Sequence, residues 1–416
     1  IIMNKEESEN LPIPFSPPYI DEDVISEVTD TLRSGWITTG PKVKELETLM
    51  AAYTGLEHAL AVNSATSAMM LCLHWYGVSK GDEVIIPAYT YCATALAVMH
   101  LGATPVMVDV QEDFTISPEK IRAAITPKTK AIIAVDIAGW PCDYAAINEL
   151  ITEEFSVKKF VPANEVQRTL GRIFLLADAA HAMGATYKNK PVGQWADMTV
   201  FSLHAVKNIT SAEGGVICLN LPKPFDNAAL YNLLRLWSLN GQTKDAFSKS
   251  TAGGWRYDIV YPGFKINLPD VLAAIAIAQL KKYEPFLLKE RSRVFDFYTN
   301  FFRENALFIL PPFYAKEKKS SCHLFPLRVN NFNEEMRAKA IEKIAAKNIS
   351  VNVHFVPLPM LTIFKNAGFA ITDFPVAYHL FENEISLPVY PQLSETQCRR
   401  VCQAVLTAVE EILANE

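Results

Sequence analysis

FSLHAVKNITSAEGG, residues 201–215, is the stretch on which the reading of this chain turns. An apolar run ends at Ser202-Leu203, a loop of small and hydroxyl residues carries Lys207, and Gly214-Gly215 opens the next apolar run. A lysine that forms an imine with an aldehyde must keep its neutral amine accessible and close to a cofactor. Taken alone, a loop lysine is ordinary surface decoration, because lysine rarely leaves solvent. Its neighbours carry the argument.

Upstream, IFLLADAAHAMGA (173–185) places Asp178 directly after an apolar run. A carboxylate there can pair with a protonated pyridine nitrogen and keep the ring an electron sink. As an isolated feature it reads equally well as a helix cap or a structural ion pair. His181 follows closely and can hydrogen-bond a phenolate oxygen, although a lone histidine is more often structural. ALAVNSATSAMML (59–71) runs from strand through polar turn to helix. That order aims backbone amides and the hydroxyls of Thr66 and Ser67 at an anion, and the plain alternative is helix capping. In IIPAYTYCATA (85–95), Tyr91 can stack on a flat ring or serve the core.

Outward from these segments, short apolar runs alternate with helical patterns. The runs 58–63, 83–87, 104–109, 130–137, 173–177, 198–203 and 214–219 predict strands, with helices near 65–77, 91–101, 117–125 and 143–151. Alternation of this kind predicts an α/β fold with a mostly parallel sheet covered on both faces. Ligands bind at the carboxyl ends of such strands. Residues 1–19 read as a polar, Pro-rich arm outside the core, and 152–172 as a surface insertion. A long helix over 269–296 leads into a second region with strands at 323–329 and 349–355 and helices at 333–347 and 394–414. The expected division is a large domain, 13–280, and a smaller C-terminal α+β domain, 281–416.

The 416 residues are half hydrophobic and one-fifth charged, enough for two cores. A formal net charge of −6 argues against a nucleic-acid surface. The seven cysteines include no CxxC pair or Cys/His cluster, so no metal is expected and a reducing cytoplasm fits. Cys398 and Cys402 share one helix face and read as ordinary helix cysteines rather than ligands. The N-terminal apolar stretch is too short for a signal peptide, and no run reaches spanning length. The expectation is a soluble cytoplasmic protein.

These segments together resemble the DegT/DnrJ/EryC1/StrS family of pyridoxal-phosphate sugar aminotransferases, which includes the streptomycin and erythromycin sugar transaminases. The resemblance runs from SGWITTGPKVKELE (34–47) through GDEVIIPAYT (81–90), GATPVMVDV (102–110) and AITPKTKAII (124–133). It continues in GFKINLPDVLAAIAIAQL (263–280) and ISLPVYPQLS (385–394). HAVKNITSAEGG looks closest to the branch that makes 4-amino-4-deoxy-L-arabinose or 4-amino-4,6-dideoxy sugars on nucleotides.

The resemblance implies an aspartate-aminotransferase-like fold (fold type I) and pyridoxal 5'-phosphate as cofactor. It also implies transfer of an amino group from glutamate to a nucleotide-linked keto-sugar, with C4 the first choice, in surface-polysaccharide or lipopolysaccharide biosynthesis. Lys207 would form the imine with the cofactor and then shuttle a proton. Asp178 would pair the ring nitrogen, His181 the phenolate side, and Tyr91 the ring face. Ala65, Thr66, Ser67 and Ser202 would hold the phosphate. The family is dimeric with shared sites, so GFKIN should reach the partner's phosphate through Lys265 or Asn267; many members carry Asn where this chain has Lys265. Trp36, Thr38 and His354 are the expected substrate contacts, and His323 also matches a family position. Many relatives have histidine where this chain has Asp136, which bears on the substrate mouth.

Three other readings compete. Dehydratases of the same fold typically replace the lysine with histidine, so Lys207 favours transamination. A nicotinamide enzyme would need G-x-G-x-x-G at a strand-to-helix turn, which the chain lacks. A non-catalytic cofactor-binding paralogue has no need of an imine-forming lysine.

Overall fold

The alternating apolar runs pair into one seven-stranded sheet in a computed structural model that describes residues 11–244 and 255–415. We label its strands β1 (His58–Val62), β2 (Glu83–Pro87), β3 (Thr104–Val108), β4 (Thr129–Val135), β5 (Phe174–Asp178), β6 (Met198–Ser202) and β7 (Gly215–Leu219). Their order across the sheet is β1-β7-β6-β5-β4-β2-β3. The ladders from β6 to β3 are all parallel, whereas β7 runs antiparallel to both β1 and β6. The sheet is therefore mixed, and β7 begins at the edge where the other strands end.

Side-chain alternation explains why both faces are covered. On β1, Leu60 and Val62 enter one apolar cluster, while Ala59 and Ala61 enter another. On β7, Ile217 and Leu219 join the first cluster, Val216 and Cys218 the second. Strand β4 is buried along its whole length, as a central parallel strand must be. Helices start where small polar residues can cap them: Ser64 before Ala65–Tyr76, Ser117 before Pro118–Ala124, and Asp143 before Tyr144–Thr152.

A third cluster is built from Phe295, Tyr298, Phe325, Leu327, Ile385, Leu387, Val401 and Val405. It lies on an antiparallel three-stranded sheet, Phe308–Ile309, Phe325–Val329 and Glu384–Leu387. Helix Glu395–Leu413 packs on it and buries Cys398 and Cys402.

Four expectations change. The long helix over 269–296 is broken into Asp270–Lys281, a π-helical turn Tyr283–Leu288, and Lys289–Phe302. Pro285 has no amide to donate, and the Leu287 amide turns back to Lys282 O at 3.3 Å. The strand expected at 349–355 is reduced to single pairings, Ile13 with Ile349 and Asn352 with Ser386. Beyond Asn352, the amides of Val353 and His354 are taken by the side chains of Asn352 and Glu384 instead of by a neighbouring strand. The N-terminal arm is not wholly outside the core, because Ile13 is fully buried in the third cluster. The 152–172 stretch forms helices Glu154–Lys159 and Glu165–Leu170. It also packs inward: Phe160 joins the first cluster, and buried Gln167 donates to Tyr76 O at 3.0 Å.

Candidate active site

The sheet delivers its functional side chains to one edge. After β1 come Ser64, Ala65 and Thr66; after β2, Thr90 and Tyr91; after β4, Ile137; at the end of β5, Asp178, then His181; and after β6, Lys207. All of them, with Ser202 and Gly214, line a single cavity of about 470 Å³. The opposite wall comes from His323, Leu324, His354 and Phe355, and Phe15 and Ser16 of the N-terminal arm complete it.

The start of helix Ala65–Tyr76 lines the cavity with Ala65 and Thr66. Its first amides have no partner within the helix. Ser64 Oγ accepts from the Ser67 amide at 3.1 Å and donates to Ser67 Oγ at 2.9 Å. Ser67 is thereby absorbed in capping and lies outside the cavity lining, which leaves Ala65 and Thr66 for an anion. A side chain at Gly215 would put its Cβ 2.5 Å from the Ala65 nitrogen, so the start of β7 seats the helix N-terminus by direct backbone contact.

Asp178 is buried, and two donors hold it. Thr94 Oγ1 donates to Oδ2 at 2.9 Å, and the Ala180 amide to Oδ1 at 3.2 Å. Burial pushes its pKa up, while these two bonds and the nearby Lys207 oppose that push. For Lys207 the balance runs the other way: burial lowers its pKa to about 8, with Asp178 only partly restoring the charged form.

The tautomer of His181 follows from its partner. The Ala138 amide donates to Nδ1 at 3.2 Å, so Nδ1 is an acceptor and the ring proton sits on Nε2. Burial, then Lys207 and His354, holds its pKa well below the usual histidine value, so the ring is neutral. His323 is fixed similarly. Asn208 donates to Tyr283 Oη and Ser321 O, so its Oδ1 accepts from His323 Nδ1 at 2.8 Å. The two imidazole rings lie 4.5 Å apart.

Lys265, Asn267, Trp36 and Thr38 do not line this cavity. Asn267 pairs with Val62 beside β1, accepts from Lys265 Nζ at 2.6 Å, and donates to Thr39 Oγ1 at 2.6 Å. Trp36 Nε1 donates to Thr39 O at 3.3 Å, and Thr38 O accepts the Asp270 amide at 3.3 Å. Asp270 secures this loop by accepting from the amides of Gly40, Lys42 and Val43. The four residues thus belong to one hydrogen-bonded edge outside this chain's own cavity. Asp136 also stands apart. It is fully buried, accepts from the Cys142 amide and Tyr144 Oη at 2.8 Å each, and burial raises its pKa to about 7.

Sequence reasoning missed Thr94, Asn208, Phe15 and Ser16. Thr94 lies within IIPAYTYCATA, one helical turn past Tyr91, and Asn208 follows Lys207 directly, so proximity to the motifs was the available signal. Phe15 and Ser16 carry no signal, because the arm folds across in space rather than in sequence.

The comparisons with known proteins agree over nearly the whole chain. The sequence profile of the DegT/DnrJ/EryC1/StrS aminotransferase family matches residues 18–158 and 163–406, interrupted only inside the 152–172 stretch. The spore coat polysaccharide biosynthesis protein SpsC of Bacillus subtilis is 35% identical over 403 residues, covering 96% of this chain and 97% of its own. Among solved structures, a candidate sugar aminotransferase of Streptococcus pneumoniae, Spr1654, in its PMP form superposes with a TM-score of 0.92. It is 43% identical, with 96% of this chain and 100% of that one covered. Its PLP form gives a TM-score of 0.91 at 42% identity, with 97% and 100% covered. Helicobacter pylori PseC, an aminotransferase involved in pseudoaminic acid biosynthesis, gives 0.84 at 27% identity, with 96% and 100% covered.

Proposed function

This chain belongs to the DegT/DnrJ/EryC1/StrS aminotransferase family, and on that premise we propose that it moves an amino group from glutamate to a nucleotide-linked keto-sugar, at C4, for a surface polysaccharide. It is a pyridoxal-phosphate-dependent sugar aminotransferase with the fold of the type I aminotransferases. The observation that carries the reading is the convergence of Lys207, Asp178, His181, Ala65 and Thr66 on one cavity.

The residues fit the cofactor group by group. A phosphate calls for donors, and the helix N-terminus with the Ser202 hydroxyl offers them. A phenolate oxygen calls for a neutral N–H, which His181 Nε2 carries. A ring nitrogen kept protonated calls for a buried carboxylate, which Asp178 supplies. An aldehyde calls for an amine, and a ring face for an aromatic, which Lys207 and Tyr91 supply.

Bound pyridoxal phosphate supplies an aldehyde that condenses with amines and a ring that takes up the electron pair of a broken C–H bond. Lys207 removes and returns the proton at the carbon that loses or gains nitrogen, which requires the neutral amine that burial favours. Asp178, oriented by Thr94 and the Ala180 amide, would hold the proton on the ring nitrogen. The Ala65 and Thr66 amides anchor the phosphate, and Phe15, Phe355 and Leu324 narrow the cavity against water.

We read residues 13–280 as the cofactor-binding domain and 281–416 as the smaller one. The separate apolar cluster around Phe295, Phe325 and Val405 supports this. We also read the working unit as a cytoplasmic homodimer. Lys265, Asn267 and Trp36 lie on an edge away from this chain's cavity, which suits contacts to a neighbour's site. No described helix is long and apolar enough to cross a membrane. The test is a panel of nucleotide-linked 3-keto and 4-keto sugars offered with glutamate. An amino-sugar product with 2-oxoglutarate is expected from a 4-keto member. Turnover of 3-keto members alone would overturn the C4 assignment, and elimination of water without amination would make this a dehydratase.

A further inference from the structure

His354 lines the cavity, and its Nδ1 lies 2.9 Å from Ser386 Oγ. Ser386 Oγ in turn lies 2.5 Å from Glu384 Oε1, and Glu384 Oε2 accepts the His354 backbone amide at 3.1 Å. Glu384 and Ser386 are both fully buried, two residues apart on one face of the strand Glu384–Leu387. An unbroken chain thus joins a buried carboxyl group to an imidazole at the cavity wall. Neither Glu384 nor Ser386 lines the cavity itself.

We propose that Glu384 and Ser386 are positioning residues that decide, through this chain, whether His354 meets bound substrate as a hydrogen-bond donor or as an acceptor. The inference rests on the aminotransferase reading only for the identity of that substrate. The chemistry of the chain allows two states. With Glu384 protonated, its hydroxyl donates to Ser386 Oγ, Ser386 donates to His354 Nδ1, and the imidazole carries its proton on Nε2. With Glu384 ionised, Ser386 donates to the carboxylate, Nδ1–H donates to Ser386, and Nε2 presents a lone pair. Passage from the first state to the second releases one proton from Nε2 to solvent. In the same concerted shift Nδ1 takes the Ser386 proton and Ser386 takes the Glu384 proton, so the imidazole stays neutral and the balance closes at one proton lost.

The surroundings favour the donor state at neutral pH. Burial raises the Glu384 pKa to about 8, against the opposing bonds from Ser386 and the His354 amide and the charge of Arg337. Tyr89 lies beside the carboxyl group and donates to His354 O at 2.7 Å, and Arg328 sits opposite Glu384 in the ladder. On the imidazole side, burial and then Lys207 hold His354 near 4, so the ring stays neutral while Glu384 titrates. His181 lies within range of the same ring, which stacks on Phe15 at 5.2 Å and meets Phe355 edge-on. Nε2–H matches a group that only accepts, such as a keto oxygen or a carboxylate. Such a group loses its donor once Glu384 ionises.

The test reads the tautomer directly in cofactor-free protein, so it stands or falls apart from the aminotransferase reading. Protein labelled with 15N-histidine is titrated by NMR from pH 6.5 to 9.5, with the His354 signal assigned by its loss in His354→Gln. The expected result is conversion from the Nε2–H to the Nδ1–H tautomer with a midpoint near 8. Glu384→Gln, whose amide oxygen keeps the His354 backbone donor and so turns its NH2 toward Ser386 Oγ, should hold the Nε2–H tautomer throughout. Ser386→Ala, which cuts the chain, should also abolish the conversion and covers the case where Glu384→Gln does not fold. A pH-independent tautomer in the wild type, or a conversion that persists in either variant, overturns the proposal. In active enzyme, KM for the keto-sugar or glutamate should rise at least fivefold from pH 7 to 9 in the wild type and not in Glu384→Gln, with kcat changing alike in both. Equal KM profiles overturn the contact with substrate.

Discussion

Replacing Lys207 with methionine should make the cofactor-free protein more stable, even though it removes the proposed imine-forming group. Burial lowers the Lys207 pKa from 10.5 to about 8. At about 1.4 kcal/mol per pH unit, confining the ammonium in the fold therefore costs about 3 kcal/mol at pH 7. The sign follows from proton counts. Below pH 8 both folded and unfolded chains carry the proton, and the cost is present in full. Between 8 and 10.5 the folded chain has released it while the unfolded chain keeps it, so the cost shrinks as pH rises, to roughly half at pH 9.5. Methionine has similar length and no charge, so Lys207→Met escapes the cost at every pH. The assay is urea unfolding of both proteins, stripped of cofactor and at matched concentration because association shifts stability. Lys207→Met should exceed the wild type by about 3 kcal/mol at pH 7 and by about half of that at pH 9.5. A variant less stable than the wild type at pH 7, or a difference that does not narrow with pH, would refute the reasoning that burial sets the lysine's pKa.

Three further outcomes follow from the site. Asp178→Asn should lower kcat on the order of a thousandfold while leaving the fold intact, since the amide oxygen can keep the Ala180 donor and the amide NH2 can donate to Thr94 Oγ1; near wild-type turnover would make the carboxylate structural. Capture of free pyridoxal phosphate by cofactor-free protein should quicken about tenfold per pH unit up to about pH 8 and then level off, because only neutral Lys207 attacks the aldehyde. Stopped-flow absorbance measures this, and a rate independent of pH below 8 would contradict it. Lys265→Ala should weaken cofactor retention at the partner's site, and mixing inactive Lys207→Ala chains with Lys265→Ala chains at limiting cofactor should restore one complete site per heterodimer. No recovery would mean that each subunit is self-sufficient.

The sequence was legible where local chemistry and periodicity agreed. The seven apolar runs appear as strands, and the residues just past their ends converge on the cavity, because a parallel sheet collects its strand ends on one edge. Strand direction was less legible: nothing in the apolar run of β7 says that it runs against β1 and β6. Pro285 was visible, but the apolar periodicity around it concealed the break it makes in the helix over 269–296. The run at 349–355 has strand composition, yet beyond Asn352 its amides are taken by the side chains of Asn352 and Glu384. Glu384 itself, a carboxylate opening the apolar segment EISLPV two residues before Ser386, was a readable sign of a buried polar pair. What it faces depends on the distant loop bearing His354, which no local pattern encodes. Thr94 and Asn208 escaped for the same reason, since their roles exist only through Asp178 and His323.

Chemical trapping at Lys207 tests the account most directly. The holoprotein is reduced with borohydride, digested, and its peptides mapped by mass spectrometry. The account predicts a single pyridoxyl-phosphate adduct on the lysine of HAVKNITSAEGG, with none in Lys207→Ala treated alike. An adduct on any other lysine of the native protein, or the same adduct yield in Lys207→Ala, would contradict it.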